Sequence, residues 1–264
     1  MSATHILILF FLVVGILIYQ DQRLFLDNQL DKNITNVKVI RLVVEQSYEK
    51  AKFVNLPFFE VTKEIFEKYG GFQVVEKDGD TFDATVYIKA KGTPFSAEYF
   101  YFSSLYTFYT GAAIEGEILF FVKNKTFKWP FSGKKDPPVS ISVKGFKRFV
   151  SPYEYTTPDD APFSDVFNDV FYLCIMKILL DLKGIDSLIL ALEDENWMVR
   201  KAAIEVLGKI KNSLVVEVLI FMLSDTEQEV RHAALKTLKE ITGKDFGYEQ
   251  ERWIEWWGKN KDMY

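Results

Sequence analysis

Two stretches of the sequence carry the same pattern: residues 186–210 read DSLILALEDENWMVRKAAIEVLGKI, and residues 213–244 read SLVVEVLIFMLSDTEQEVRHAALKTLKEITGK. When the two are aligned, eight pairs of identical residues each lie 31 positions apart. The pairs are Leu192/Leu223, Asp194/Asp225, Val199/Val230, Arg200/Arg231, Ala202/Ala233, Ala203/Ala234, Leu207/Leu238 and Ile210/Ile241. Eight coincidences at one offset indicate an internal repeat, which is typical of stacked helical pairs.

The second half of each unit has the spacing of an amphipathic helix. In the first unit the apolar residues lie at i, i+3, i+4, i+7, i+8 and i+11, which form one stripe of an α-helix. These residues are Val199, Ala202, Ala203, Val206, Leu207 and Ile210. Because alanines in such a stripe let a neighbouring helix approach closely, the pattern predicts tight packing against the preceding helix.

Turn residues indicate where these helices begin and end. Asp194 and Asp225 precede the second helix of their units, where a carboxylate can accept hydrogen bonds from unpaired backbone N–H groups. Gly243 follows Ile241 at the point where the last helix is expected to stop. We therefore predict that the two aspartates accept backbone hydrogen bonds at the turns before the second helices.

The repeated residues resemble the HEAT-like repeat family, including the type found beside phycobilin lyases, with the pattern L-x-D-x-x-x-x-V-R-x-A-A-x-x-x-L-x-x-I. The resemblance covers residues 184–243, about a quarter of the chain. It implies a short α-solenoid in which the turn Asp and the Arg after Val form a ladder of charges between repeats. Carried over, the ladder consists of Asp194, Arg200, Asp225 and Arg231. A ligand site built from the same charges is the alternative interpretation.

Two repeats are fewer than the roughly three that a stable stack needs, so both ends require a cover. The apolar stretch 164–183 is predicted to be a buried helix that closes one end. At the other end, GYEQERWIEWWGKNK places Trp253, Trp256 and Trp257 at helical spacing. We predict that this segment is a terminal cap. The alternative is an interaction surface, because tryptophan is common in binding hot spots.

Strand and helix patterns alternate in the part of the chain before the repeats. Residues 83–91, DATVYIKAK, alternate polar and apolar side chains, which is typical of a half-buried strand. A helix is predicted to begin after Pro57 and to end at Gly70-Gly71. Further strands are predicted at 37–44, 72–76, 114–122 and 139–143.

These assignments divide the chain into four parts. A segment at 1–22 is followed by an α+β domain at 35–150, a proline-containing linker at 151–163 and a helical repeat domain at 164–264. The predicted fold class is therefore α+β: a small mixed α+β domain followed by a short α-solenoid of two HEAT-like repeats with capping helices.

The first segment, MSATHILILFFLVVGILIY, contains no Asp, Glu, Lys or Arg through Tyr19. Its length matches the lower end of the ~17–25 residues that span a bilayer. We predict an uncleaved membrane anchor within residues 1–22. The rest of the protein is predicted to be extracytoplasmic, because a short polar N-terminus before a first apolar helix usually stays inside. A cleaved signal peptide and a buried core helix are the alternatives.

An aromatic-rich stretch, PFSAEYFYFSSLYTFYTG, has eight aromatic residues between Phe95 and Tyr109. One interpretation, which we favour, is a core strand or helix, because large aromatic side chains dominate protein cores. The alternative is an exposed surface that meets a partner protein, lipid headgroups or an apolar ligand, with Tyr99, Tyr101 and Tyr106 as its candidate residues.

The residue inventory offers little for catalysis or metal binding. There are two histidines: His5 in the apolar first segment and His232, which aligns with Lys201 at an exposed helix position. The single cysteine, Cys174, lies in an apolar run and is expected to be buried. Because these residues form no nucleophile–base pair, metal-ligand set or cofactor motif, we predict no cofactor, no metal and no enzymatic activity.

Charge and architecture together suggest the function. The net charge is −5 with acidic and basic residues interspersed, so no basic face favours nucleic acid. We predict a membrane-tethered, non-enzymatic scaffold that binds a protein partner through its repeats. An alternative is an envelope component that binds lipid or another apolar ligand through the aromatic-rich α+β domain. A lyase-like enzyme is the third hypothesis, and only the resemblance of the repeats suggests it.

Overall fold

The computed structural model describes residues 36–48, 54–76, 81–101, 104–135, 160–210 and 213–263. Within these ranges the side chains are described except at 96–101, 104–110, 160–162, 213 and 263. The described residues divide into two compact units, a sheet unit that comprises Val37–Ile178 and a helical unit that begins at Leu179.

The sheet unit is built around a mixed sheet of five strands. The strands are β1 (Val39–Tyr48), β2 (Gln73–Val75), β3 (Ala84–Tyr101), β4 (Ser104–Val122) and β5 (Lys125–Lys135), in the order β2-β1-β3-β4-β5. β1 is parallel to both of its neighbours, whereas β3 with β4 and β4 with β5 form antiparallel pairs. The unit also contains helix α1 (Phe58–Lys68) and most of helix α2 (Asp160–Lys183).

One face of the sheet is buried and the other is partly exposed. Leu42, Val86 and Phe120 pair across β1, β3 and β4, and all three side chains are buried. On β3, Thr85 and Tyr87 alternate with these positions and are half-buried. The alternation predicted for this strand is therefore confirmed, because successive side chains of a strand point to opposite faces.

Aromatic rings pack α1 and the first part of α2 onto the buried face. The ring of Phe58 lies 4.9 Å from that of Phe167 and 4.6 Å from that of Phe171, both nearly perpendicular. Such edge-to-face pairs each contribute roughly 0.5–1.5 kcal/mol beyond their buried area. α2 approaches β5 closely at Gly133, where a Cβ atom would lie only 2.3 Å from Cγ1 of Val170.

β3 and β4 are longer than the predicted strands. The predicted strand 114–122 is the second half of β4, and the aromatic stretch extends both strands, so that Tyr99 pairs with Tyr106. Because that stretch does not alternate polar and apolar residues, its pattern could not separate a strand from a helix. The predicted strand 139–143 lies outside the described residues.

Helix α2 begins at Asp160, four residues before the predicted start at residue 164. Pro162 lies in its first turn, where the N–H group that proline lacks has no helical partner in any case. The boundary between the two compact units falls at Leu179, within this helix, whereas the predicted linker occupies 151–163. Most of that linker lies outside the described residues, so the domain boundaries stay predictions.

In the part of the helical unit that the structure describes, five helices follow the end of α2. They are α3 (Ile185–Ala191), α4 (Trp197–Leu207), α5 (Ser213–Met222), α6 (Gln228–Thr242) and α7 (Gln250–Asn260), followed by a 3-10 turn at Lys261–Met263. α3 packs on α4, α5 packs on α6, and α4 packs on α6 between the two pairs. The predicted fold class, α+β with a short helical solenoid, is therefore confirmed.

The glycine predicted to stop the last repeat helix does so. Gly243 follows α6 with φ of 67°, and its N–H donates to the carbonyl of Lys239 at 2.9 Å. This left-handed conformation strains residues that have a Cβ atom, so glycine is favoured at the end of the helix.

Within the described ranges, every helix is either too short or too polar to span a bilayer. The predicted anchor at residues 1–22 lies outside those ranges. Membrane attachment and an extracytoplasmic location therefore stay predictions.

Candidate functional site

The apolar stripes of the two repeats are buried. Ala203 and Ala234 have no exposed surface, and the other stripe positions from Val199 to Leu207 and from Val230 to Leu238 are at most 5% exposed. Ile241, in the last turn of α6, is half-buried. The two helices approach closely at Gly208, where a Cβ atom would lie 2.3 Å from Cγ2 of Thr237. Ile210 lies beyond the end of α4 and is only half-buried, so the predicted stripe is one turn too long.

Arg200 links the turn of one repeat to the turn of the next. Its Nε and Nη2 atoms donate to Oδ2 and Oδ1 of Asp225, both at 2.8 Å, so the guanidinium holds the carboxylate with two parallel hydrogen bonds. Its Nη1 atom donates to the backbone carbonyls of Asp194 and Glu195, at 2.6 and 3.1 Å. Only 10% of the Arg200 side chain and 8% of the Asp225 side chain are exposed, so the pair is nearly buried.

The surroundings of Asp225 favour its charged form. Burial by itself would raise the pKa of this carboxyl, but the hydrogen bonds from Arg200 and from the backbone N–H of Glu227 outweigh it and hold the pKa below its usual range. The hydrogen bond to Asp225 in turn raises the pKa of Arg200. Both partners therefore stay ionised at neutral pH.

The turn aspartates occupy equivalent positions and accept backbone hydrogen bonds at the turns, as predicted. Oδ1 of Asp194 accepts from the N–H of Asn196 at 2.7 Å, and Oδ1 of Asp225 accepts from the N–H of Glu227 at 2.8 Å. Both N–H groups belong to the residue just before a helix. Asn196 itself caps α4 by accepting from the N–H of Met198 at 3.0 Å, and its residue type could have predicted this.

Arg231 repeats part of the arrangement in the second repeat. Its Nη1 atom donates to the carbonyls of Asp225 and Thr226, at 2.7 and 2.8 Å. These carbonyls lie 31 positions after those that Arg200 holds. The structure therefore brings all four predicted ladder residues into one chain of contacts, from Asp194 through Arg200 and Asp225 to Arg231.

A comparison with protein-family models supports the same assignment. The model described as HEAT repeats matches residues 185–249. This part of the chain carries HEAT repeats. The match covers about a quarter of the 264 residues. No curated protein and no solved structure matches the chain. The finer resemblance to the type found beside phycobilin lyases stays a prediction.

Exposed apolar residues recur at the spacing of the HEAT repeats, a feature that the sequence analysis did not single out. Leu190 on α3 is 57% exposed, and Phe221 on α5 is 52% exposed. The two positions are 31 residues apart, so they correspond on the first helices of successive repeats. Ile254 on α7 is 56% exposed.

The tryptophan helix α7 packs against α5, the first helix of the second HEAT repeat. Trp257 is 4% exposed, and its Nε1 atom donates to Oε1 of Glu217 on α5 at 3.1 Å. Trp253 is fully buried and donates to the carbonyl of Gly247 at 2.8 Å. Trp256 is half-buried. Since two of the three tryptophans pack inside the unit, the contacts favour a cap over an interaction surface.

The tyrosines of the predicted aromatic surface lie in the sheet unit. Tyr99 and Tyr101 are on β3, and Tyr106 is on β4. The side chains of all three lie outside the described part of the structure. Their assignment to a core or to a binding surface therefore stays a prediction.

Histidine and cysteine, two residue types common in catalytic and metal sites, each occur once in the described ranges. Nowhere in these ranges do three His, Cys, Asp or Glu side chains lie close enough to hold a metal ion. His232 is exposed on α6, as its alignment with Lys201 predicts, and Cys174 is buried on α2. HEAT repeats are typically non-catalytic and provide surfaces for other proteins.

Proposed function

We propose that this protein is a membrane-tethered scaffold that binds a partner protein through its HEAT repeats, without converting it chemically. The observation that carries the proposal is the pair Leu190 and Phe221, two exposed apolar side chains at the same position of successive repeats. Because equivalent positions of stacked repeats face the same side of the stack, we infer that the two side chains belong to one interaction surface. Because Arg200 and Asp225 tie the repeats together, this surface is held in a fixed arrangement before the partner arrives.

Partner capture from native membranes tests the binding surface. We expect the double variant Leu190→Ser/Phe221→Ser to retain at least about tenfold less partner, since burying each side chain contributes ~1.5–3 kcal/mol and tenfold corresponds to about 1.4 kcal/mol. The matched control is Lys201→Ser/His232→Ser, at two polar positions that are also 31 residues apart but lie on the second helices. The captured proteins and lipids are quantified by mass spectrometry.

Equal capture by the two double variants would contradict this assignment of the surface. Loss of capture on changing Tyr99, Tyr101 and Tyr106 to alanine, with the repeat variants unaffected, would move the binding to the sheet unit. Conversion of a small molecule by the protein, abolished by one carboxylate-to-amide change that leaves folding intact, would refute binding without turnover.

The proposed tether rests on the charge-free run that ends at Tyr19. We expect the full-length protein to sediment with membranes and to stay there in alkaline carbonate, because an apolar run of this length is stable in the hydrocarbon core. A chain that lacks residues 1–22 is expected to remain in the supernatant with the same melting temperature. Full-length protein in the supernatant would show that the segment is not an anchor.

A further inference from the structure

The ladder of charges in the HEAT repeats is incomplete at Arg231. Arg200 uses Nη1 for two backbone carbonyls, and Nε with Nη2 for the carboxylate of Asp225. Arg231 holds the equivalent carbonyls with Nη1, but no carboxylate in the described part of the chain accepts from its Nε or Nη2. A third repeat would supply that carboxylate 31 residues after Asp225, and the residue there is Trp256.

The surface beside Arg231 is less covered than its equivalent in the first repeat. Arg200 as a whole residue is 8% exposed, and Ile204, one turn later, is fully buried. Arg231 and Leu235, the residues 31 positions further on, are both only half-buried. Among the described residues, Arg231 and Leu235 thus form a partly exposed side of α6. The equivalent side of α4, at Arg200 and Ile204, is buried against the second repeat.

Arg231 is also prepared to accept a negative group. Its two acceptors are neutral backbone carbonyls, and the carboxylate of Asp225 already accepts both of its arginine hydrogen bonds from Arg200. The contacts of Nη1 hold the planar guanidinium in place, so little further ordering is needed when a ligand binds. The open Nε and Nη2 pair has the spacing that matches the two oxygens of a carboxylate.

We propose that Arg231 binds a carboxylate on an acidic segment of the partner protein, with the two parallel hydrogen bonds that Arg200 makes to Asp225. This inference rests on the proposed scaffold function and names the chemistry that the partner must bring. The recognised element is an aspartate next to an apolar residue: the carboxylate binds Nε and Nη2, and the apolar residue covers Leu235.

A second copy of the chain does not fit this role. Stacking one copy on the next would have to bring Asp194, the turn aspartate of the first repeat, to Arg231 of its neighbour. Asp194 is only 4% exposed, so its carboxylate is not accessible to an arginine of another copy. Stacking of copies therefore does not complete the ladder, and we assign the carboxylate to a different protein.

Short random peptides on an array, including phosphorylated ones, test the proposal with the full-length protein. We expect the retained peptides to share an aspartate. Changing that aspartate to asparagine should weaken binding to the natural protein at least about tenfold, whereas the same change should hardly affect binding to the Arg231→Gln variant. Arg231→Lys is expected to bind with intermediate strength, because an ammonium cannot form the forked pair. The matched control is Arg252→Gln, an exposed arginine on α7 that pairs with Glu249 at 3.0 Å.

Combining the aspartate change in the peptide with Arg231→Gln in the protein shows whether the two groups are in direct contact. A protein variant that had lost its fold would instead bind all peptides more weakly. Retained peptides without a shared carboxylate, retention of phosphopeptides alone, or no retention overturns the proposal. If Arg231→Gln still captures the membrane partner while Leu190→Ser/Phe221→Ser does not, the scaffold function holds and this inference fails. If neither variant changes capture, the binding surface proposed for the repeats is refuted as well.

Discussion

Replacing Arg200 by alanine is expected to destabilise the helical unit by about 3–5 kcal/mol, because removing one partner of a nearly buried ion pair leaves the other charge uncompensated. Asp225 would keep the hydrogen bond from the N–H of Glu227, and the carbonyls of Asp194 and Glu195 would lose a donor. The loss is measured as a lower urea midpoint at an unchanged dependence on urea concentration.

Arg231→Ala is the matched control for this prediction. It removes the two equivalent carbonyl contacts, to Asp225 and Thr226, but no pair with a carboxylate of the described residues. Its effect is expected to be smaller than that of Arg200→Ala by at least about 2 kcal/mol. Equal losses would mean that the carbonyl contacts, and not the pair with Asp225, hold the two repeats together.

The helical unit can be followed separately from the sheet unit, which matters because a chain with two units need not unfold in one step. Of the five tryptophans, four lie in the helical unit and Trp129 lies in the sheet unit. Tryptophan fluorescence therefore reports mainly on the helical unit, and a Trp129→Phe background removes the signal from the sheet unit.

The pair between Arg200 and Asp225 also makes stability depend on acid. The pKa of Asp225 is lower in the folded protein than the value of about 3.9 in an unfolded chain. The unfolded state therefore binds the proton first, so the stabilisation is present above about pH 4 and is lost as the pH falls through the folded pKa. Asp225→Asn should show a shallower loss of stability in this range than the natural protein.

Ala203→Asp is expected to unfold most of the helical unit. Ala203 is fully buried where α4 packs on α6, so the new carboxylate would have neither water nor a cation. An unpaired buried charge costs several kcal/mol, a large share of the ~5–15 kcal/mol that stabilises a typical domain. The equivalent change Ala234→Asp should act alike. Both are measured by thermal melting in the Trp129→Phe background.

Lys201→Ala and His232→Ala are the controls, because they trim side chains on the outer surfaces of the same helices. Each is expected to change stability by no more than about 0.5 kcal/mol. Melting shifts of similar size in the two classes would show that the alignment of the repeats is out of register.

The repeats were predictable because eight identities at one offset fix which residues correspond, and the helical spacing of Val199, Ala203 and Leu207 fixes the buried side. The partner of Arg200 was harder to predict. The resemblance placed Arg200 and Asp225 in one ladder, but whether they meet depends on how α4 and α6 pack, a tertiary property that spacing alone does not determine.

Local chemistry explains why the cap of α4 was not predicted and why two strands were predicted too short. Asp194 and Asn196 are both good capping residues, and only the conformation of the turn decides that Asn196 caps the helix. The ends of β3 and β4 were missed because aromatic residues stand at consecutive positions there, such as Tyr99, Phe100 and Tyr101, which leaves no alternation of polar and apolar residues to detect.

The outer strands of the described sheet are poor templates for a further strand. β2 has only three residues, while β5 carries four lysines and Pro130, which has no N–H group to donate. Short strands, charged side chains and residues without an N–H donor at the edge of a sheet all disfavour pairing with a further strand. Copies of the protein concentrated side by side on one surface would therefore not join their sheets into fibres.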